Sequence, residues 1–171
     1  MSRGKLIFIT GGARSGKSNF AEKLAVKTSK EVAYIATGQP LDVEMTFRIR
    51  KHREKRINTW ETYEEPIEVR GLVNRLGLEK KVILIDCLTL LTSNLLLRKE
   101  DKVENSKWQG EILVEIEKLA EVSYQVPAQV IIVSNEVGMG LVPDNLLGRI
   151  YRDILGRANS IIADKADEVF I

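Results

Sequence analysis

The stretch Gly11-Gly12-Ala13-Arg14-Ser15-Gly16-Lys17-Ser18 decides the fold. It follows the spacing G-x-x-x-x-G-K-[ST], and its flanks give that spacing a physical meaning. Before it, Lys5-Leu6-Ile7-Phe8-Ile9-Thr10 is a short apolar segment with strand character. After it, Asn19 to Lys30 sets Phe20, Leu24 and Ala25 near helical spacing. A strand, a glycine turn and a helix place a row of backbone N–H groups around a phosphate, and the helix N-terminus adds favourable partial charge. Lys17 is expected to reach the β- and γ-phosphates, and Ser18 to offer its hydroxyl to Mg²⁺. A chance glycine-rich turn between core elements is the plain alternative, but it leaves both flanks unexplained. The chain reads as a nucleotide-binding protein.

A second signal lies downstream. Lys81-Val82-Ile83-Leu84-Ile85-Asp86 is a run of four apolar residues ending in an acid. In phosphoryl-transfer enzymes with a phosphate loop, an aspartate at a strand's end holds Mg²⁺, directly or through water. A helix N-cap is the other reading of Asp86. Leu88 to Arg98 is expected to follow as a helix, with Thr89, Thr92 and Asn94 adding polar groups near the site.

Between these signals, Val43 to Arg56 has neither Gly nor Pro and reads as a helix. It carries Arg48, Arg50, Lys51, Arg53, Lys55 and Arg56, with the only histidine, His52, among them. Glu44, Arg48 and His52 share one face at i,i+4 spacing. The bland reading is a solvated basic face. The sharper one is a set of cations meeting a polyphosphate, with arginines gripping oxygens through forked N–H pairs. Like charge nearby is expected to disfavour protonation of His52, and a neutral imidazole can attack phosphorus.

The remaining chain supplies the frame. Glu31 to Gly38 reads as a second strand entering a loop, Gly38-Gln39-Pro40-Leu41-Asp42, at the carboxyl edge where ligands bind in open α/β sheets. Asn58 to Pro66 alternates Trp60 and Tyr63 with Glu61 and Glu64, like a short exposed strand or a loop. Glu64 could accept the N–H donors of a guanine base or be an ordinary surface glutamate. Ile67 to Leu76 looks like a helix closed by Gly77, Lys99 to Lys107 like a loop, and Trp108 to Val122 like an amphipathic helix. Gln129 to Ser134 is another buried strand, entering the loop Asn135 to Pro143. Asp144 or Asn145 is placed to cap a helix running to Asn159, and Asp167 to Ile171 looks like a last strand. Five strands with intervening helices predict an α/β fold, a doubly wound, mostly parallel sheet in a three-layer sandwich of the P-loop NTPase kind.

Composition narrows the classes. A length of 171 residues, 44% hydrophobic and 29% charged, suits one soluble globular domain spanning 1–171. A net charge of +2 gives no global argument for nucleic acid or an acidic membrane. One cysteine, Cys87, excludes an internal disulfide and any cysteine-cluster zinc site. The first strand starts within a few residues, leaving no room for a signal peptide, and no apolar run approaches a membrane span. The expected location is cytoplasmic.

Taken together, several stretches resemble the bifunctional adenosylcobinamide kinase/adenosylcobinamide-phosphate guanylyltransferase family of cobalamin biosynthesis. They are Thr10 to Ser18, Tyr34 to Thr37, Glu44-Met45, Arg48-Ile49, His52-Arg53, Trp60, and Glu64 to Pro66. They continue with Asp86 to Thr89, Asn94-Leu95, Ser134 to Pro143, Tyr151 to Asn159, and Ala166 to Val169. The resemblance implies phosphorylation of adenosylcobinamide by a nucleoside triphosphate, ATP or GTP. Transfer of GMP from GTP follows, giving adenosylcobinamide-GDP and pyrophosphate through a guanylylated histidine at His52. It further implies nucleotide binding by Gly11, Gly12, Ala13, Arg14, Ser15, Gly16, Lys17, Ser18, Ala36, Thr37, Gly38, Arg53, Glu54, Lys55, Arg56, Glu64 and Asp86, with Ser18 and Asp86 at Mg²⁺. The family is similar in forming homotrimers. Two departures stand out: relatives usually continue past the Asp-Glu-Val strand, and some carry a second histidine where this chain has Lys51. A kinase without guanylyl transfer and a non-catalytic nucleotide sensor are the competing readings.

Overall fold

A computed structural model describes residues 2–171. In chain order the elements are β1 (Leu6–Ile9), α1 (Lys17–Thr28), β2 (Val32–Ala36), α2 (Val43–Lys55), β3 (Glu61–Glu64) and α3 (Val69–Glu79). Then come β4 (Val82–Asp86), α4 (Leu88–Leu97), α5 (Ser106–Gln125), β5 (Gln129–Val133), α6 (Leu146–Lys165) and β6 (Glu168–Phe170). The six strands form one sheet in the order β3-β2-β4-β5-β1-β6, and every pair is parallel.

Strands β1, β2 and β4 are apolar almost throughout because both their faces are covered, as parallel sheets require. One face, with Ile7, Ile9, Tyr34, Leu84 and Ile131, packs on Ala21 and Ala25 of α1. The other, with Leu6, Phe8, Ile35, Ile83, Ile85 and Ile132, packs on α3, α4, α5 and α6. These are the three layers expected.

The sixth strand is β3, which pairs with β2 as the sheet edge. Its sequence Glu-Thr-Tyr-Glu is largely exposed, so it lacks the apolar run that marks its buried neighbours. Helix α3 runs on to Glu79 instead of stopping before Gly77. Gly77 sits inside it because a Cβ there would lie 2.5 Å from the Val126 side chain. Its small size serves close packing, not chain reversal. Helix α5 starts earlier than its apolar period, at Ser106, with Asn105 as cap accepting from the Trp108 N–H at 3.1 Å. Asn145, not Asp144, caps α6, accepting from the Gly148 N–H at 2.6 Å. That helix passes Asn159 to reach Lys165.

Asp167 ties the last strand to the first. Its carboxylate accepts from both terminal nitrogens of Arg3, at 2.6 and 2.8 Å, and from the Leu6 N–H at 2.8 Å. The Arg3 hydrogen bond, then the Leu6 amide, pull the carboxyl from its ordinary 3.8 down to about 2. A depressed folded-state value contributes stability that is complete above the unfolded value and is lost as pH falls through the folded one. Asp167→Asn is therefore expected to flatten the decline in melting temperature between pH about 4 and about 2, followed by thermal unfolding across that range.

Candidate active site

Parallel register lines up one row at the carboxyl edge: Glu64, Ala36, Asp86, Val133, Ile9 and Phe170. Above this edge opens a cleft of about 640 Å³. Its floor and one wall come from the phosphate loop and the ends of β2 and β4, and α2 supplies the opposite wall.

The phosphate loop is built by backbone conformation. Gly11 has φ 150° and Gly16, which precedes the first turn of α1, has φ 91°. Both lie in the region that favours glycine. Arg14 joins them at φ 57°, a left-handed value uncommon for a residue with a side chain. Lys17 Nζ donates to the Gly12 carbonyl at 2.5 Å and to Ser15 Oγ at 3.4 Å, spanning the loop mouth. Burial lowers the Lys17 ammonium from its ordinary value, with Cys87 and Asp86 opposing.

Asp86 does not cap a helix. The cap position of α4 belongs to Cys87, which makes no side-chain cap bond. Instead Asp86 Oδ2 accepts from Ser18 Oγ at 3.1 Å and from the Tyr34 hydroxyl at 2.7 Å. Burial raises the Tyr34 hydroxyl above its usual range, and the Asp86 charge adds to this. Glu22 of α1 is a further acid nearby. Burial first, then Asp86, raise its carboxyl, while His52 and Arg56 act in the opposite direction. Burial likewise pushes the Cys87 thiol to about 12, making it an inert lining residue at pH 7.

Helix α2 contributes one face. Met45, Arg48, Ile49, His52 and Arg56 recur at three- and four-residue intervals, and all line the cleft. Its N-terminus is fixed by Asp42, which accepts from the Met45 N–H at 2.7 Å. Among its described residues the helix buries none fully, so they form cleft-facing and solvent-facing groups with no core stripe. The basic cluster is more fully paired than its composition suggests. Arg48 meets Glu44 at 2.5 Å, Arg50 meets Glu54 at 3.4 Å, and Arg53 meets Glu64 from the edge strand. The Arg56 guanidinium lies 4.4 Å from the Tyr34 ring centroid, and its buried Nε has no hydrogen-bond partner among the described residues.

The expected residues thus divide. Ala13, Arg14, Ser15, Gly16, Lys17, Ser18, Ala36, Gly38, His52, Arg56, Glu64 and Asp86 share the cleft. Gly11 and Gly12 shape the loop from outside its lining. Thr37 is fully buried and works as a brace, its hydroxyl donating to Cys87 O at 2.7 Å and accepting from Cys87 N at 2.8 Å. Glu54 and Arg53 engage acid–base pairs beside the cleft instead of lining it. The side chain of Lys55 lies outside the described residues. Thr89 and Asn94 also brace: Thr89 Oγ1 accepts from Asn135 N at 2.7 Å, and Asn94 donates to Thr37 O at 2.7 Å and Pro66 O at 3.0 Å. Tyr34 enters the sequence reading only within the stretch Tyr34 to Thr37, with no role assigned, although a tyrosine in an aliphatic buried strand signals a hydroxyl that needs a partner.

The donor set fits Mg²⁺ of the phosphate-loop kind. Among the described residues no cluster of three or more His, Cys, Asp or Glu side chains can hold a metal. One hydroxyl and one carboxylate 3.1 Å apart suit a small hard cation that draws its other ligands from phosphates and water.

A phosphate loop between β1 and α1, and a strand-terminal aspartate bonded to that loop's serine, define an α/β nucleotide-binding protein of the P-loop class. The fold alone is also similar to the RadB recombinase crystal structure, with a TM-score of 0.51 and 16% identity over 87% of this chain and 72% of that one. Residues 7–171 match the family described as cobinamide kinase / cobinamide phosphate guanyltransferase. The chain is 40% identical to the bifunctional adenosylcobalamin biosynthesis protein CobU of Escherichia coli strain K12, over 97% of this chain and 94% of that protein. Identity is again 40%, with the same coverage, to CobU of Salmonella typhimurium. It is 40% to the bifunctional adenosylcobalamin biosynthesis protein CobP of Pseudomonas aeruginosa, over 94% of this chain and 88% of that protein. The chain belongs to the cobinamide kinase / cobinamide phosphate guanyltransferase family. Among the described residues no helix is long and apolar enough to cross a membrane.

Proposed function

We propose that this protein phosphorylates adenosylcobinamide and then transfers GMP from GTP to the product, with His52 carrying the GMP between the two substrates. The observation that carries this reading is the sharing of one cleft by His52, Arg48 and Arg56 on one wall and Lys17, Ser18 and Asp86 on the other.

In the first reaction the corrinoid's aminopropanol hydroxyl attacks the γ-phosphorus of the nucleoside triphosphate. An O–P bond forms, the bond to the β,γ-bridging oxygen breaks, and the hydroxyl proton is released. The loop N–H groups and Lys17 hold the phosphates in line and meet the charge that develops on them. Ser18 and Asp86 are the residues to hold Mg²⁺, which neutralises phosphate charge when bound.

In the second reaction a ring nitrogen of His52 attacks the α-phosphorus of GTP, and pyrophosphate leaves. The phosphate of adenosylcobinamide phosphate then attacks the same phosphorus, breaking the P–N bond and restoring the imidazole. Two displacements replace one, the usual benefit of a covalent intermediate. Glu64, which lines the cleft and pairs with Arg53, is on this reading the acceptor for the guanine edge. The working assembly on this reading is a homotrimer acting in the cytoplasm.

Incubating the protein with adenosylcobinamide, Mg²⁺ and GTP and resolving products by mass spectrometry tests the reading. Adenosylcobinamide phosphate followed by adenosylcobinamide-GDP and pyrophosphate is the expected sequence. Accumulation of the phosphate alone would reduce the protein to a kinase, and no corrinoid turnover would sink the reading.

A further inference from the structure

Tyr34 stands where the two walls of the cleft meet. It is a hydroxyl-bearing ring in a strand whose other residues, Val32, Ala33, Ile35 and Ala36, are aliphatic, and it is only 3% exposed. A buried hydroxyl is costly without a partner, and this one donates to Asp86 Oδ2 at 2.7 Å. Ser18 donates to the same oxygen at 3.1 Å. A carboxylate oxygen offers about two lone-pair sites, so Oδ2 is fully engaged. Asp86 Oδ1 has no hydrogen-bond donor among the described residues. The carboxylate is thereby fixed in rotation, with one oxygen committed to protein and the other uncommitted.

The ring has a second contact. The Arg56 guanidinium lies over it, 4.4 Å from the centroid, and Trp60 packs alongside at 6.4 Å. Arg56 closes α2 and stands one turn beyond His52 on the cleft-facing side of that helix. The hydroxyl therefore touches the Ser18–Asp86 pair, while the π-face meets the end of the His52 helix.

We propose that Tyr34 is a positioning residue for both walls: its hydroxyl orients the Asp86 carboxylate for a divalent cation, and its ring seats Arg56 beside His52. The inference rests on the nucleotide-transfer reading above. Groups that orient a metal ligand commonly change metal affinity by 10–100-fold when removed.

The test compares Tyr34→Phe, which keeps the ring, with Tyr34→Leu, which loses it. Fluorescence of a methylanthraniloyl GDP probe is titrated in EDTA and in Mn²⁺. In Tyr34→Phe the Mn²⁺ concentration needed for half-maximal gain in probe affinity should rise roughly tenfold, with the metal-free affinity unchanged. At saturating Mn²⁺, covalent labelling by GTP should return to near the wild-type rate in Tyr34→Phe and stay several-fold lower in Tyr34→Leu. An unchanged Mn²⁺ requirement in Tyr34→Phe overturns the hydroxyl's role. Equal losses in EDTA and Mn²⁺ overturn it too, because a merely structural defect weakens both. Equal labelling by the two variants at saturating Mn²⁺ overturns the ring's role. Wild-type protein that binds the probe with Mn²⁺ dependence but takes no label removes the guanylyl-histidine reading and the ring's role with it, and the Mn²⁺ shift in Tyr34→Phe alone then decides the hydroxyl's role. Failure of the wild type to bind the probe overturns both together.

Discussion

His52→Ala is expected to abolish GMP transfer to adenosylcobinamide phosphate while leaving phosphorylation of adenosylcobinamide within about threefold of wild type, as expected of a residue outside the first reaction's transition state. Loss of a covalent nucleophile typically costs roughly 10⁴-fold or more, because no other group stands in the same line of attack. No other histidine exists to substitute for it. The substitution is structurally mild. His52 is exposed, and none of the described residues of its helix is fully buried, so neither the sheet nor the phosphate loop depends on the imidazole for packing. Separate assays of phosphate formation and pyrophosphate release check the prediction. Equal losses in both would mean that His52 serves phosphate binding in general, and retention of both would remove it from the chemistry.

Lys17→Ala should do the reverse in the first reaction, lowering the turnover number for phosphoryl transfer by roughly 10²–10³-fold, the usual effect of deleting one preorganised donor to developing charge. The Lys17 ammonium bonds Gly12 O and Ser15 Oγ within the loop itself, so its loss leaves the helix α1 packing through Ala21 and Ala25 intact. Steady-state kinetics with saturating nucleotide separates the outcomes. A rise in KM with unchanged turnover would assign Lys17 to ground-state binding only, and unchanged kinetics would remove it from the site.

Legibility in the sequence followed physical cause. The phosphate loop was readable because its glycines are forced by backbone angles, at Gly11 and Gly16, and a lysine and a serine follow at the fixed spacing. Strands β2 and β4 were readable because burial on both faces leaves an unbroken apolar run. Strand β3 reads in the sequence as either a short exposed strand or a loop, since its place at the edge permits polar residues on exposed positions. Gly77 misled because a glycine chosen for contact with Val126 looks the same in sequence as one chosen to end a helix. On α2, the i,i+4 spacing puts Glu44, Arg48 and His52 on one face, of which Arg48 and His52 line the cleft while Glu44 pairs with Arg48, and composition alone overstated the free charge. The missing partner was Glu64, which reaches Arg53 from another element. The role of Tyr34 was not legible for a related reason: its partners are Asp86 and Arg56, contacts that only the sheet register and the fold of α2 bring together.

The covalent intermediate is the centre of the account. Wild-type protein incubated with Mg²⁺ and GTP labelled at the α-phosphate, without corrinoid, should acquire label that survives denaturation, is released by mild acid, and maps by mass spectrometry to the peptide containing His52. Label on another residue, or protein that binds GTP and acquires none, would contradict it.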